Sequence, residues 1–334
     1  MDSAVVGGCL LTGLRDVTDD LTVLDAPGHG RWAVVLPFDA APVCARFHAS
    51  KRMAAPQAGW FAPVPHHSWA SSLDREAFSK GVDAIREAIA LGDVYQVNLC
   101  RRLSAPLPEG FDVVALGAAL ARSNPAPHAA TLRLDSAGVA VASASPELFL
   151  RRRGDVVESR PIKGTAAHGG DFLPKDRAEN VMIVDLMRND LGRVCQFGTV
   201  TVPDLCREEL HPGLSHLVST VRGRLRPGVG WAELLAATFP PGSVTGAPKL
   251  AALDVIRRLE PVPRGVYCGA IGWVDTDAVA GELNVAIRTL WVEDGRLHLG
   301  TGGGITWDST PAGEWEETEL KARRLLAVAG GGGA

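Results

Sequence analysis

Two pairs of acidic residues have a spacing that could bind a metal ion. Asp176 and Glu179, and likewise Glu314 and Glu317, are three residues apart in segments with a helical pattern, so each pair would share one helix face. Magnesium prefers carboxylate oxygens and keeps water ligands that an anionic substrate can displace. Acidic side chains in a first helical turn could equally well interact with the helix dipole and stay hydrated. The spacing alone leaves both interpretations open.

Lys163 and Glu147 could take part in covalent and acid–base chemistry. Lys163 lies in segment 160–165, Arg-Pro-Ile-Lys-Gly-Thr, between a proline that stiffens the chain and a glycine that leaves room for a ligand. A desolvated lysine near a metal or other cations could be neutral and nucleophilic, whereas one in an exposed loop would stay charged. Glu147 precedes the apolar segment 148–150, where desolvation would raise its pKa towards that of a general acid. An edge-strand carboxylate that faces water is the alternative.

Other residues could bind an anion. Segment 243–249 joins a proline–glycine turn to a predicted helix N-terminus, whose free amides favour negative charge. The glycine run 302–304 could let backbone amides approach a carboxylate, and Arg288 could bind one through two hydrogen bonds. Each signal is weak alone, because a glycine run is often a simple turn and an arginine often forms a surface ion pair. His216 by itself is typical of a packed histidine.

These candidates must be positioned by a mixture of helices and strands. Apolar residues at helical spacing predict helices at 74–91, 112–123, 175–189, 231–238, 248–259 and 314–329. Short apolar runs between turn residues predict strands within 1–50 and at 94–103, 129–135, 138–143, 147–152, 266–274, 280–291 and 296–300. Residues 51–70 are expected to form a connecting loop. The absence of a regular βαβ rhythm favours an α+β sandwich of sheets over a Rossmann or barrel fold.

Composition excludes several classes of protein. The 334 residues include 34 Lys and Arg and 38 Asp and Glu, and the net charge of −4 leaves no basic surplus for binding nucleic acid. The six cysteines form no C-x-x-C pair, which is typical of reduced thiols in a cytosolic protein. The first residues lack a signal-peptide profile, and no apolar run reaches the roughly 20 residues that span a bilayer. We therefore expect a soluble cytoplasmic enzyme with one catalytic domain over 1–334 and a flexible tail at 330–334.

The order of the motifs resembles that of the chorismate-utilising enzymes over residues 70–328. The motifs are GDVYQVNL (92–99), SPE (145–147), PIKGT (161–165), KDRAEN (175–180), DLMRND (185–190), HLVS (216–219), TGAPK (245–249), GAIG (269–272), IRT (287–289), GGG (302–304) and EWEET (314–318). Chance agreement of so many ordered elements is negligible. The resemblance implies an α+β fold like that of anthranilate synthase component I, with two large packed β-sheets flanked by helices.

The resemblance also implies roles for the candidate residues. It implies Mg²⁺ held chiefly by Glu179 and Glu317, with Asp176 and Glu314 as outer or water-mediated partners. The metal would bind the ring carboxylate of chorismate. Residues that would line the ring or hold the enolpyruvyl side are Gly164, His216, Ser243, Thr245, Tyr267, Arg288, Gly303, Gly304 and Lys321.

Lys163 and Gln96 indicate one branch of this family. Isochorismate and salicylate synthases resemble one another in having a lysine, which activates water, where this chain has Gln96, and anthranilate synthases typically have alanine at the position of Lys163. In the aminodeoxychorismate branch a lysine is thought to attack the ring, the 4-hydroxyl leaves with help from Glu147, and ammonia then displaces the lysine at C4. The resemblance therefore implies 4-amino-4-deoxychorismate as the product, for para-aminobenzoate in folate or secondary metabolism. Anthranilate synthase and a catalytically silent homologue are the alternatives.

Some features depart from the family pattern. The N-terminal portion, about 1–70, is short and lacks the Leu-Leu-Glu-Ser-type element that binds tryptophan, so inhibition by tryptophan is not expected. Pro241, Gly303 and Thr306 replace residues that are usual in the family. No glutaminase Cys-His-Glu module is visible. Ammonia is therefore expected from solution or from a separate glutamine amidotransferase subunit.

Overall fold

Within the residues that the structure describes, antiparallel pairing joins eighteen β-strands into one continuous network. The computed structural model of the protein describes residues 2–53, 55–167, 172, 174–211 and 214–332. The strands are β1 (Ser3–Val6), β2 (Cys9–Thr18), β3 (Arg31–Leu36), β4 (Val43–Arg52), β5 (Ala70–Ser71), β6 (Gln96–Pro106), β7 (Ala130–Leu134), β8 (Val139–Ser143), β9 (Leu148–Arg153), β10 (Val156–Arg160), β11 (Ile162–Ala167), β12 (Thr201–His211), β13 (Leu214–Arg224), β14 (Gly246–Ala247), β15 (Ala270–Asp275), β16 (Ala280–Val285), β17 (Thr289–Glu293) and β18 (Arg296–Ile305). The α-helices are α1 (Arg75–Ala90), α2 (Val113–Ser123), α3 (Pro174–Gly192), α4 (Trp231–Thr238), α5 (Lys249–Leu259) and α6 (Pro311–Ala329).

The network forms two layers that share a core. One layer has the order β12–β13–β10–β9–β16–β15–β3–β4, and the other has the order β1–β7–β8–β17–β18–β6. Strand β2 pairs with both β1 and β4 and so connects the layers. Val34 and Phe149 of the first layer and Leu132 of the second lie in one buried cluster. The expected α+β arrangement of two packed sheets flanked by helices is therefore confirmed, with the layers continuous through β2.

Strands from the last third of the chain lie between strands from the first half. The β15–β16 hairpin lies between β3 and β9, and the β17–β18 hairpin lies between β8 and β6. Helices α3 and α6, which carry the acidic pairs, pack against β13 and β18 respectively. The acidic helices thus meet strands that carry His216 and the glycine run.

Local signals explain the helices. Helix α1 begins after Asp74, whose carboxylate accepts a hydrogen bond from the Ala77 amide at 2.8 Å, and it buries Phe78, Val82 and Ile85 at helical spacing. Helix α6 begins with Pro311 after Thr310, whose hydroxyl caps the Gly313 amide. These starts are close to those expected from the sequence.

The structure corrects several sequence-based boundaries. Residues 156–160, 162–167, 201–211 and 214–224 form β10 to β13, for which no strand was predicted. The strand expected at 280–291 is two strands, β16 and β17, separated at Arg288, whose φ of 51° is incompatible with a continuous strand. The strand expected from 266 begins only at Ala270. Residues 330–332 donate backbone hydrogen bonds to the last turn of α6, whereas 333 and 334 lie outside the described residues.

No helix in the described part of the chain is long and apolar enough to cross a membrane.

Candidate active site

Lys163 and Glu179 meet where β11 faces α3. The side chain of Lys163 is 13% exposed, and its Nζ lies 3.8 Å from Glu179 Oε2. A bulge at Gly164, with φ of 75°, separates Lys163 from the next residue in the β11–β13 pairing. An added Cβ at Gly164 would lie 2.9 Å from Asp176 Cβ, so glycine permits α3 to approach β11 this closely. The PIKGT motif thus places a nearly buried lysine beside the first acidic pair.

Glycines of β18 leave space for the charged groups of the site. An added Cβ at Gly304 would overlap Gln96 Nε2 and lie 3.4 Å from Lys163 Nζ. One at Gly303 would lie 2.8 Å from Glu314 Oε2 and 4.0 Å from Glu317 Oε1. The β18 backbone at Gly303 and Gly304 therefore lies close both to the Lys163 amine and to the carboxylates of α6. The glycine run is therefore a close backbone approach and not a simple turn.

The carboxylates of α6 interact with one another and with Lys321. Burial raises the pKa of Glu314, and the negative charges of Glu317 and Glu179 raise it further, although the Ser309 hydroxyl, which donates to Glu314 at 2.7 Å, lowers it. Lys321 Nζ lies 2.7 Å from Glu317 Oε1 and donates to the Gly302 carbonyl at 2.9 Å. The Glu314 carboxyl is therefore affected by the negative charge of Glu317 on its own helix and by that of Glu179 on α3.

This donor set fits a magnesium ion held by few protein ligands. Within the described residues no group of three or more His, Cys, Asp or Glu side chains is close enough to form a metal cage. Magnesium is commonly bound through one or two carboxylates together with water and substrate oxygens, so a cage is not required. Glu179 on α3 and Glu317 on α6 offer such carboxylates, and both raise the pKa of Glu314, so a divalent cation would relieve the repulsion felt by Glu314.

Glu147 is a buried carboxyl immediately before β9. It is 5% exposed, and desolvation raises its pKa to about 7, although a hydrogen bond from Ser243, the charge of Lys163, the Ile162 amide and the charge of Lys321 all lower it. It therefore does not face water at a sheet edge. A carboxyl with a pKa near neutrality can exchange a proton at physiological pH.

The turn 241–247 places Ser243 and Thr245 differently. The Ser243 hydroxyl reaches Glu147, whereas the Thr245 hydroxyl is directed to the carbonyls of Pro241 and Gly242 at 3.2 and 3.3 Å. Both residues are buried. Ser243 thus contacts an ionisable group of the site, and the side chain of Thr245 stabilises the turn.

His216 lies on β13, where it pairs in register with position 165 of β11, two residues after Lys163. It is 3% exposed. The structure therefore brings His216 to the strand beside Lys163.

Arg288 lies at the break between β16 and β17. Its carbonyl accepts a hydrogen bond from the Ala144 amide at 3.0 Å, but within the described part of the chain its guanidinium forms no hydrogen bond and no ion pair, and the residue is half-buried. Burial lowers its pKa, and the charge of Arg324 lowers it further. A half-buried cation without a counter-charge among the described residues is favourable for binding a carboxylate.

Tyr267 packs against β18 at a point distant from the other candidates. Its ring packs on Gly300, four residues before Gly304, which is about 13 Å along a strand. Burial raises its pKa well above the usual value, and the neighbouring thiols of Cys268 and Cys100 contribute. The structure therefore does not place Tyr267 beside Lys163.

Two positioning residues, Asn180 and Ser309, were not identified from the sequence, and the structure adds the surroundings of Gln96, which was identified. Asn180 donates to the Leu217 carbonyl at 3.1 Å and so ties α3 to β13, and Ser309 orients Glu314. Gln96 is 1% exposed, and its Oε1 has no hydrogen-bond partner among the described residues. The burial of Asn180 could have been predicted from the sequence, because it is a polar residue at helical spacing from the apolar Ile183, Val184 and Met187, which are buried.

Comparison with known proteins places these features in a family. The family described as chorismate binding enzyme matches residues 45–327. The chain is 42% identical over 273 residues to aminodeoxychorismate synthase component 1 of Klebsiella aerogenes, covering 78% of this chain and 59% of that protein. It is 41% identical over 280 residues to anthranilate synthase component 1 of Streptomyces coelicolor, covering 80% and 54% respectively. The chain thus spans less than two thirds of the length of these relatives.

The fold matches as well. The crystal structure of anthranilate synthase component I from Streptococcus pneumoniae superimposes with a TM-score of 0.76 at 24% identity, covering 90% of this chain and 81% of that chain. The family match extends over most of the sequence and includes every element that carries Lys163, Glu147 and the two acidic pairs. The chain therefore belongs to the family of chorismate binding enzymes.

Proposed function

We propose that the chain is the chorismate-aminating component of an aminodeoxychorismate synthase, which converts chorismate and ammonia to 4-amino-4-deoxychorismate and retains the enolpyruvyl group. The observation that carries this proposal is the position of Lys163. Its amine lies 3.8 Å from Glu179, beside Gly304, and interacts electrostatically with the buried Glu147. A nucleophile and an acid therefore share one water-poor site.

The Lys163–Glu147 pair can reach the required protonation state by internal transfer. Attack on the ring needs a neutral amine, and departure of the 4-hydroxyl needs a proton donor. Moving one proton from the Lys163 ammonium to the Glu147 carboxylate supplies both. Because the pKa of Glu147 is about 7, its carboxyl is ionised above about neutral pH and can then accept the proton from Lys163.

The covalent chemistry then proceeds in two balanced steps. Lys163 Nζ forms a bond to a ring carbon while the ring double bonds shift, the C4–O bond breaks, and the hydroxyl leaves as water with the Glu147 proton. Ammonia forms the C4–N bond, the bond to Lys163 breaks, and the surplus proton of the incoming ammonia returns to the pair. The net reaction exchanges hydroxyl for amine without an oxidant or reductant.

Gln96 supports an amine over water as the second nucleophile. Its buried Oε1 has no partner among the described residues and can accept a hydrogen bond from ammonia. An amide cannot remove a proton from water, so it would not generate hydroxide at this position. Ammonia needs no such activation because its lone pair is available.

Substrate binding is proposed to use two positive charges, one for each carboxylate of chorismate. Mg²⁺ held by Glu179 and Glu317 would neutralise the ring carboxylate and fix its orientation. Arg288, which lacks a counter-charge among the described residues, would bind the enolpyruvyl carboxylate, with the Gly303 and Gly304 backbone beside it.

Ammonia is proposed to come from a separate glutamine amidotransferase subunit. Both relatives named above are called component 1, which implies a second component in those proteins. No Cys-His-Glu glutaminase motif was found in the sequence.

Anthranilate synthase is the second candidate, because a relative with that name matches at 41% identity. That reaction also adds ammonia but then eliminates pyruvate. Lys163 favours the first candidate, since direct addition of ammonia needs no lysine nucleophile.

Product analysis separates the two. Purified protein is incubated with chorismate, Mg²⁺ and ammonium, and products are identified by mass spectrometry with a coupled pyruvate assay. We expect 4-amino-4-deoxychorismate without pyruvate, lost in Lys163→Ala and retained in Lys80→Ala, a control lysine that is 74% exposed on α1. Anthranilate with equimolar pyruvate would favour the second candidate, and full activity of Lys163→Ala would remove the lysine from the mechanism.

A further inference from the structure

Asn180 and Ser219 form a buried polar contact between α3 and β13. The Ser219 hydroxyl donates to Asn180 Oδ1, and Asn180 Nδ2 donates to the Leu217 carbonyl at 3.1 Å. Both side chains are fully buried. Because Leu217 and Ser219 are two residues apart on one strand, the Asn180 amide binds β13 at two points along the same face. We call these two hydrogen bonds the Asn180 clasp.

The Asn180 clasp lies at the point where β13 holds Lys163. In the pairing of β11 with β13, Lys163 is in register with Leu217, whose carbonyl accepts from Asn180. Glu179 precedes Asn180 on α3, and its Oε2 lies 3.8 Å from Lys163 Nζ. A closed path therefore runs from the lysine through Leu217 and Asn180 to Glu179 and back to the lysine amine.

A bulge in β12 fixes the direction of the Ser219 hydroxyl. The register of the β12–β13 pairing shifts between Asp204 and Arg207, and Cys206 in this bulge has a φ of 50°, which is unfavourable for a residue with a Cβ. The Cys206 amide donates to Ser219 Oγ at 2.8 Å. Because the hydroxyl oxygen accepts this bond, its own proton is free to be donated to Asn180.

Apolar packing holds α3 only from the next turn onwards. Among the described side chains at 176–182, Asn180 is the one that is buried, and the buried apolar residues begin with Ile183, about 4.5 Å farther along the helix. The Cys206 thiol also approaches the Arg177 carbonyl, but at 3.9 Å. The clasp therefore holds α3 by directional bonds one residue from Glu179.

We propose that Asn180 and Ser219 are positioning residues that set the distance between the Lys163 amine and the Glu179 carboxylate. The inference rests on the proposed roles of Lys163 and Glu179, and it gives neither positioning residue a contact with substrate. A buried polar network whose members are all paired holds one arrangement. Loss of the clasp would let the first two turns of α3 move away from β11, which would uncover the lysine.

Acetylation of Lys163 tests the clasp without any assay of catalysis. The protein at pH 8 is treated briefly with limiting acetic anhydride, and peptide mass spectrometry gives the acetylated fraction of Lys163 relative to that of Lys80, which is 74% exposed. The clasp variant is Asn180→Leu/Ser219→Ala, which replaces both polar side chains so that neither is buried without the other. We expect labelling of Lys163, now 13% exposed, to rise at least about threefold.

Lys249 is an internal control in the same experiment. It is 14% exposed, and its Nζ lies 2.5 Å from Asp190 in the second half of α3. Because the clasp holds only the beginning of this helix, labelling of Lys249 should change by less than about 1.5-fold in the clasp variant. Ser219→Thr keeps the hydroxyl and should leave labelling of Lys163 near that of wild type.

Kinetics measure the consequence for the reaction. Chorismate consumption with ammonium is followed against Mg²⁺ concentration, so the readout does not depend on which product forms. In the clasp variant we expect kcat to fall about tenfold and the half-saturating Mg²⁺ concentration to rise about fivefold, because Glu179 is displaced. Thr238→Val removes a buried hydroxyl that donates to the Leu234 carbonyl within α4 at 2.7 Å, and it should leave both values unchanged.

Three results would overturn the proposal. They are unchanged labelling of Lys163 in a clasp variant whose thermal unfolding shows that it is folded, an equal rise for Lys163 and Lys249, which would mean that α3 is loosened as a whole, or normal kinetics despite increased labelling. Failure of the wild type to consume chorismate would contradict the proposed function alone, because labelling requires no turnover. Should the clasp variant be unfolded at the assay temperature, Ser219→Ala replaces it, and the same results decide.

Discussion

Replacement of Glu147 by glutamine should stabilise the folded protein at alkaline pH. Desolvation raises the pKa of this carboxyl from 4.5 to about 7. The folded state therefore favours the protonated form, and the resulting stability is present below the unfolded pKa and is lost as the pH rises through about 7. At 1.36 kcal/mol per unit, the difference between the two pKa values corresponds to about 3 kcal/mol. Glutamine resembles the protonated carboxyl in shape and carries no charge to bury.

The same substitution should nearly abolish activity. An amide cannot give its proton to the departing hydroxyl, so the rate should fall by about 10²–10⁴-fold. The wild-type rate should rise with pH to a plateau above about 7, where the Glu147 carboxyl is ionised and can accept the proton from Lys163, and at pH 6 it should be about a tenth of the plateau. The rise in rate near pH 7 should be absent from the Glu147→Gln variant.

Urea unfolding at pH 4 and pH 8 measures the stability effect. The free energy of unfolding of Glu147→Gln relative to wild type should increase by about 3 kcal/mol between these pH values. Glu87→Gln, which replaces an exposed carboxyl on α1, should show no comparable change. An increase below about 1 kcal/mol for Glu147→Gln would refute the reasoning, because it would mean that the ionised carboxylate is well solvated in the folded protein.

Four further results are expected. Quenched with chorismate and Mg²⁺ in the absence of ammonia, the enzyme should carry a ring adduct on the peptide that contains Lys163; an adduct elsewhere would exclude the covalent role. Glu317→Ala should raise the half-saturating Mg²⁺ concentration at least about tenfold without loss of folding, and an unchanged Mg²⁺ titration would contradict its assignment. Gly304→Ala should lower kcat about 10²-fold, because a methyl group would displace Gln96, whereas Gly192→Ala at the end of α3, where an added Cβ meets nothing within 4 Å, should leave kcat near normal. Ammonium should support turnover by the chain alone, and glutamine only with an added amidotransferase; turnover with glutamine by the purified chain would contradict this.

The helices whose signals lie within their own sequence were predicted with nearly correct bounds. Helix α4 has the predicted bounds, α1 differs by one residue at each end, and α2 differs by one residue at its start, because their apolar spacing is encoded within the helices themselves. The sequence also identified the charged residues of the site, since the ordered motifs give their identity independently of geometry. Lys163, Glu179 and Gly304 indeed lie close together.

Features set by distant contacts could not be predicted. Strand β12 alternates between exposed and half-buried residues and carries many charges, so it lacks the apolar run that indicates a strand, and its partner β13 is needed to stabilise it. The position of Tyr267 over Gly300 and the bridge from Lys249 to Asp190 join residues far apart in sequence. Such pairs follow from the path of the sheet and not from any local pattern.

The insertion of the C-terminal hairpins between earlier strands has a consequence for synthesis of the chain on the ribosome. Until residues 270–305 emerge, the facing edges of β3, β9, β8 and β6 have no native partner, although most of the chain has been made. Unpaired edges promote association between chains, and contacts this distant in sequence form slowly. A nascent or truncated chain that ends before β15 would therefore be prone to aggregate and dependent on chaperones, and the active site would be completed only after β18 and α6 have been synthesised.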